Sequence, residues 1–255
     1  MKSTYTTSHE TVSKVPEVTL IFWIIKVLAT TLGETAGDAV SMSLNLGYLL
    51  STVVFSGIFL VAVVVQISAK KFHPVIYWTT IVATTTVGTT LADFADRSLK
   101  IGYTGGTAIL FSLLIMSLFV WRRTMGSVAV DSVSSPKSEM FYWVTIMFSQ
   151  TLGTALGDWT SDSMDLGYLW SVGIFGSILA VIAVCYFRSK ISHTILFWSA
   201  FILTRPLGAV VGDFLDKPIR EGGLALNRYT ASGVLIGLMV FFIITFSHRP
   251  AKRGH

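Results

Sequence analysis

Cysteine, histidine and charge are all scarce in this 255-residue chain, and each scarcity excludes something. Cys185 is the only cysteine, so no intrachain disulfide can form. Of the five histidines, His9, His248 and His255 lie in the tails and His73 and His193 stand far apart, which leaves no metal-ligand spacing among them. Charged residues make up 13% of the chain, against about 25% in soluble domains. Segments of alternating polarity, about ten residues long, are missing, and with them a transmembrane barrel. No nucleophile–base pair, metal motif or cofactor fingerprint is present, so the chain is expected not to be an enzyme and to carry no cofactor. A basic patch with interleaved aromatics is also missing, which argues against nucleic acid as a partner.

What the chain does have is apolar length. Hydrophobic residues are 52% of it and the mean hydropathy is +0.67, far more than one soluble core needs. Runs of helix-spanning length fall at 18–37, 47–67, 75–94, 104–121, 140–158, 167–187, 194–213 and 229–247. Each is long enough to cross a hydrocarbon core of roughly 30 Å at about 1.5 Å per residue. The expected fold class is an all-α membrane protein with eight transmembrane helices, whose direct surroundings are the lipid bilayer.

The runs are not independent. Counting from a tryptophan, a glycine at +10, an aspartate at +15 and a glycine at +24 recur without gaps. The four sets are Trp23/Gly33/Asp38/Gly47, Trp78/Gly88/Asp93/Gly102, Trp143/Gly153/Asp158/Gly167 and Trp198/Gly208/Asp213/Gly222. A fixed period of this kind marks tandem units, here two helices each. Because each unit crosses twice, all four enter the membrane in the same direction and are parallel repeats. The expected divisions are a polar tail at 1–16, a first half at 17–123, a polar linker at 124–138, a second half at 139–247 and a basic tail at 248–255. The halves are offset by 120 residues, so a pseudo-fourfold or pseudo-twofold bundle is expected. This skeleton resembles a family of bacterial inner-membrane proteins built from four tandem copies of a repeat of unknown function, each with two membrane helices and a tryptophan. The resemblance covers about residues 17–247 and implies the architecture and the bacterial inner membrane, but no chemistry. The fourth copy departs most, with Gly223 where the others have Tyr48, Tyr103 and Tyr168.

Along the first helix of each unit, positions +3, +7, +11, +14, +15 and +18 share one face at a period near 3.6. They carry Lys26, Thr30, Glu34, Gly37, Asp38 and Ser41 in the first copy, and Ile81, Thr85, Thr89, Ala92, Asp93 and Asp96 in the second. The third has Ile146, Gln150, Thr154, Gly157, Asp158 and Ser161; the fourth has Phe201, Arg205, Ala209, Gly212, Asp213 and Asp216. The second helices are nearly pure Leu, Val, Ile and Phe. The first helices are therefore expected inside, stripes facing one another, with the second helices against lipid. The pairs Gly33/Gly37, Gly88/Ala92, Gly153/Gly157 and Gly208/Gly212 read as packing devices that let backbones approach.

Two uses of the four aspartates stay open. Each can cap a turn at the helix end, a role Asp suits, or the four can form a carboxylate ring at one depth, which is a cation site. On the second reading Asp38, Asp93, Asp158, Asp213 and Glu34 bind a cation with Thr30, Thr85, Thr89, Gln150 and Thr154, and the four aspartates are its metal ligands. Five acids against Lys26 and Arg205 leave minus three. An oxygen-only lining suits a hard divalent ion such as Mn²⁺ or Mg²⁺ over Zn²⁺ or Cu⁺. The resulting expectation is a cation transporter; a proton-coupled exporter of small organic cations and a non-transporting scaffold or sensor are the alternatives. Arg205 breaks the fourfold pattern, as does Glu34, and a mid-span ion needs a partner. The pairing expected is Arg205 with Glu34, which requires the repeats to close into a ring, with Pro206 kinking the span beside it. Lys26 lies nearer the membrane surface, where snorkelling is open to it.

Orientation follows from the basic residues. With the N-terminus inside, the cytoplasmic segments hold Lys2, Lys14, Lys70, Lys71, Arg122, Arg123, Lys137, Arg188, Lys190, Arg249, Lys252 and Arg253, against Arg97, Lys100, Lys217, Arg220 and Arg228 outside. Both termini are expected in the cytoplasm, so a reporter fused after His255 should be active on that side alone; periplasmic activity would overturn the orientation and the depth of every aspartate.

Overall fold

The computed structural model describes residues 13–164 and 166–251, and in them eight long α-helices without a strand. They are α1 Leu20–Asp38, α2 Gly47–Ser68, α3 Pro74–Asp93, α4 Tyr103–Met125, α5 Pro136–Asp158, α6 Gly167–Arg188, α7 His193–Asp216 and α8 Arg228–Thr245. Local chemistry starts several of them. Thr19 accepts a hydrogen bond from Phe22 N, Ser135 and Ser138 form a capping box with Pro136 in the first turn, and Asn227 accepts from Tyr229 N and Thr230 N. The repeated glycine at +24 has an equally local cause. Gly47, Gly102, Gly167 and Gly222 have φ of 72°, 80°, 72° and 88°, the left-handed region in which a side chain is strained.

Among the described residues six helices are long and apolar enough to cross a membrane: α1, extended to Ser43, with α2, α4, α6, α7 and α8. This supports a membrane protein. The two that fall short, α3 and α5, are the interior helices richest in hydroxyl and other polar groups. In α3 the hydroxyls of Thr80, Thr84, Thr85, Thr86, Thr89 and Thr90 donate to carbonyls three or four residues back, so polar side chains are satisfied by their own helix.

The first helices form a closed ring in which α1 packs on α3, α3 on α5, α5 on α7 and α7 on α1. Each second helix packs on the first helix of the next repeat: α2 on α3, α4 on α5, α6 on α7, and α8 back on α1. Burial follows this order. In their most apolar stretches α2, α4, α6 and α8 are 11–17% buried, against 61% for α1 and 67% for α7.

The ring seams explain the small-residue pairs. A β-carbon on Gly33 would overlap Thr85, one on Gly153 would overlap Arg205, and one on Gly208 would overlap Thr30. On Gly88 it would stand 3.0 Å from Gln150, on Gly37 3.0 Å from Thr89, and on Gly212 2.6 Å from Glu34 Cβ. In every seam the glycine at +10 receives the +7 side chain of the following repeat, and where +14 is glycine it receives the +11 side chain. Threonine hydroxyls tie the same seams, Thr85 to Ala29 O and Thr89 to Gly33 O across α1–α3 and Thr30 to Thr204 O across α7–α1, each at 3.2 Å.

At the end of the bundle carrying the termini, the last residues of the polar tail, from 13 onward, are docked against the bundle; residues 1–12 and 252–255 lie outside the described residues. Ser13 and Lys14 N donate to Val130 O and Val133 O of the linker, and Lys14 Nζ lies 2.7 Å from Glu139 and 2.9 Å from Ile67 O. Ala251 N donates to Val15 O. Unpaired backbone in a short polar segment finds partners in the linker and the other terminus.

Gly208→Ala should cost about 1–3 kcal/mol by forcing α7 off α1, measured by unfolding in detergent. Gly57→Ala in α2, where a β-carbon meets nothing within 4 Å, should stay within about 0.5 kcal/mol of the parent.

Candidate functional site

The ring encloses a polar column with a closed bottom. At the end carrying the termini, Phe22, Tyr77, Trp78, Tyr142, Trp143 and Trp198 are buried in one aromatic cluster. Edge-to-face pairs such as Tyr77–Trp78 at 5.2 Å and Tyr142–Trp143 at 5.1 Å hold it, with Tyr77 Oη 2.6 Å from Tyr142 Oη. The repeat tryptophans at 78, 143 and 198 thus serve packing, and Trp198 Nε1 also donates to Val128 O of the linker at 2.9 Å.

One turn further along lies Lys26, fully buried with its ammonium 4.2 Å from the centre of the Phe201 ring. It does not snorkel. The ring of α3, α7 and α8 around α1 leaves its side chain no route to water, and a cation–π contact is its one partner of opposite character.

Arg205 defines the middle of the column. Its Nη2 lies 3.0 Å from Glu34 Oε2 on α1 and 2.6 Å from Thr89 Oγ1 on α3, and it also meets Thr154 Oγ1 on α5. One guanidinium therefore touches the first helix of every other repeat, which places it at the centre of the ring. The Arg205–Glu34 pair expected from the sequence is present, and Thr89 Oγ1 adds a 3.3 Å contact to the same carboxylate oxygen. Thr30 and Thr85 sit elsewhere, their hydroxyls taken up by seam carbonyls, while Gln150 is fully buried at the level of Arg205 and packs over Gly88. The helix α7 stays continuous through Pro206, whose ring packs against Gly153 beside Arg205.

The four aspartates come next and are 1–3% exposed. They do not cap. Each lies in helical backbone, and α1, α3 and α5 run on past Asp38, Asp93 and Asp158 into five-residue π-helical turns at Ala39–Ser43, Phe94–Ser98 and Trp159–Ser163, with no side-chain cap bond from any of the three. The carboxylates are instead tied in pairs by two cations that follow the helix ends, Lys217 and Arg97. Lys217 Nζ bonds Asp38 Oδ2 and lies 3.1 Å from Asp213 Oδ1; Arg97 lies 2.9 Å from Asp93 and 3.6 Å from Asp158. Burial alone would lower the Lys217 ammonium, but Asp213, Asp38 and Asp216 outweigh it and hold the group well above its ordinary pKa. Arg228 adds contacts of 2.8 Å to Asp216 and 3.7 Å to Asp38.

Arg97 and Lys217, outer by their place in the sequence, stand over the column and reduce its negative charge. Their signal was present. Arg97 and Lys217 follow their own aspartates by four residues, one helical turn, and both sit at +19 of the repeat, where the first and third copies have Met42 and Asp162. Each basic residue bridges its own aspartate to that of the next repeat. Asp216 was likewise outside the proposed ligand set, although carboxylate oxygens of Asp38, Asp213 and Asp216 lie within 4.8 Å of one another.

The family described as Repeat of Unknown Function (DUF347) matches four stretches, residues 21–72, 76–127, 141–192 and 196–249, each one helix pair. No curated protein and no solved structure matches the chain.

The Arg205–Glu34 pair gives a direct energetic test. Arg205→Met should destabilise by about 3–5 kcal/mol because it leaves a buried carboxylate without its counterion, and adding Glu34→Gln should restore much of the loss. A double variant no more stable than the worse single one, in detergent unfolding, would show that the two groups do not act as a pair.

Proposed function

The chain belongs to the DUF347 repeat family, whose description fixes tandem units and names no activity, and on that premise we propose an eight-span transporter for a small hard divalent cation of the Mn²⁺ or Mg²⁺ kind. The observation that carries this reading is the aspartate layer. Four buried carboxylates, one from each repeat, share two cations, so the layer holds minus two if all are ionised. One divalent ion balances that charge. Asp38 Oδ1 and Asp93 Oδ2 accept no hydrogen bond, which leaves them free as ligands, and the donor set is oxygen throughout. Asp38, Asp213 and Asp216 offer a close cluster, and the Lys217 ammonium contacts Asp38 and Asp213 in it; an entering ion takes its place.

In this reading α3 and α5 also cross the membrane, shielded from lipid by their neighbours in the ring, and the bundle is pseudo-fourfold with a twofold alternation of charge. The bilayer is the bacterial inner membrane, as the family resemblance implies, and both termini are cytoplasmic, supported by the distribution of Lys and Arg. The aromatic cluster closes one end of the column and the Asp–Lys217 and Asp–Arg97 ties close the other. Closure at both ends supports a carrier working by alternating access rather than an open channel.

A second reading is supported by a cavity of about 670 Å³ between α1, α6 and α7. Its walls include Trp23, Tyr186 and Phe197, with the acids Glu17 and Asp131 at the rim. Such a pocket suits an organic cation, with two protons in place of the divalent ion on the aspartates.

Purified protein in liposomes separates the readings. Saturable Mn²⁺ or Mg²⁺ flux without a pH gradient, reduced about tenfold or more in Asp38→Asn and Asp158→Asn, is the expected outcome. Organic-cation flux that needs a pH gradient would replace it with the second reading. No flux of either kind, or full activity in all four Asp→Asn variants, would leave the acids as structural ties.

A further inference from the structure

The layer beneath the Arg205 guanidinium holds a group of buried donors that have no acceptor among the described residues. Lys26 Nζ, Arg205 Nε, Arg205 Nη1 and Gln150 Nε2 are buried without a hydrogen-bond partner, as is the single acceptor among them, Gln150 Oε1. All three residues are fully inaccessible. They also converge. Lys26 reaches α7 at Phe201, one turn before Arg205, and Gln150 stands one turn before Thr154, which Arg205 touches. Arg205 Nη2 is committed to Glu34, Thr89 and Thr154 on the aspartate side, so its remaining nitrogens are the ones left for this layer.

Buried polar groups are nearly always paired, with protein, water or an ion. The donor inventory decides which. A lysine ammonium offers three protons and no lone pair, and a guanidinium offers protons only. Water brings no counterion, so beside it Lys26 keeps its proton only as unpaired charge next to Arg205, whereas an anion lets it keep the proton and be paired. Desolvated charge without a counterion is far costlier than a desolvated dipole. A cation is excluded by the sign of the layer.

We propose that Lys26, Arg205 and Gln150 form a binding site for a small monovalent anion, a halide or a carboxylate group. The site is separate from the aspartate layer, lies on the aromatic side of the Arg205–Glu34 pair, and stands whether or not the aspartates carry a metal. An anion there neutralises the unmatched charge of the layer and accepts from the Lys26 ammonium, the free edge of the guanidinium and the Gln150 amide together. The Phe201 ring, already against Lys26, walls it on one side.

The test uses full-length protein in detergent, exchanged into methanesulfonate buffer and titrated with bromide or with formate at constant ionic strength. A saturable rise in the unfolding midpoint is expected with at least one of them. A bromide response assigns an inorganic ion, and a response to formate alone assigns a carboxylate-bearing ligand. Gln150→Leu adds no unpaired charge and should fold; in it the apparent affinity should fall by about tenfold or more. Lys26→Met should abolish the response. No saturable shift with either anion, or a shift that persists unchanged in Gln150→Leu, would overturn the proposal. The aspartate variants should keep the response, so failure of the cation reading and failure of the anion site are told apart.

Discussion

Everything in this bundle depends on how closely the four first helices approach one another. Backbone-to-backbone contact is possible because a glycine at +10 stands opposite the +7 side chain of the neighbouring stripe, Thr30, Thr85, Gln150 or Arg205. That contact brings a guanidinium on α7 within reach of α1, α3 and α5 at once. Were the helices a few ångströms further apart, one arginine could not serve three partners, and the threonine hydroxyls could not cross to neighbouring carbonyls. Packing and polarity are thus one device. In an apolar surrounding, where helix association gains little from the hydrophobic effect, such seams supply the attraction.

Fourfold backbone packing carries a twofold charge pattern. Positions that hold the fold together repeat in all four units, whereas positions that set charge alternate: Asp96 and Asp216 at +18, Arg97 and Lys217 at +19, with uncharged Ser41 and Ser161 at +18 in the other two copies. The column itself goes further and is unique at each level, with Lys26, Gln150, Arg205 and Glu34 each occurring once. A duplicated duplication provides the scaffold, and single substitutions at equivalent positions give its interior a direction.

Much of this was legible before the structure. The repeat, the interior placement of the first helices and the Arg205–Glu34 pair follow from period, small-residue spacing and the cost of a buried charge. What escaped was side-chain reach. Arg97 and Lys217 belong to the outer segments by position, and only the structure shows their side chains reaching back over the aspartates of two neighbouring repeats. Thr30 and Thr85 donate to seam carbonyls for a related reason: a stripe on one helix can face its neighbour's backbone as readily as a shared axis, and helical periodicity alone does not distinguish the two directions. The continuation of α1, α3 and α5 into π turns past their aspartates has no sequence signal that we recognise.

The circular order of the contacts bears on biogenesis. Every second helix covers the first helix of the following unit, so α1 is covered by α8, the final helix of the chain, and Glu34 meets its counterion 171 residues later. During synthesis the first helix to emerge is the last to be enclosed, and it must wait with an acid and a lysine exposed while about 200 residues are made, on the order of ten seconds or more at 5–20 residues per second. Until then the half-finished protein is a client for whatever machinery shelters polar helices in the membrane, and ring closure is the step that releases it.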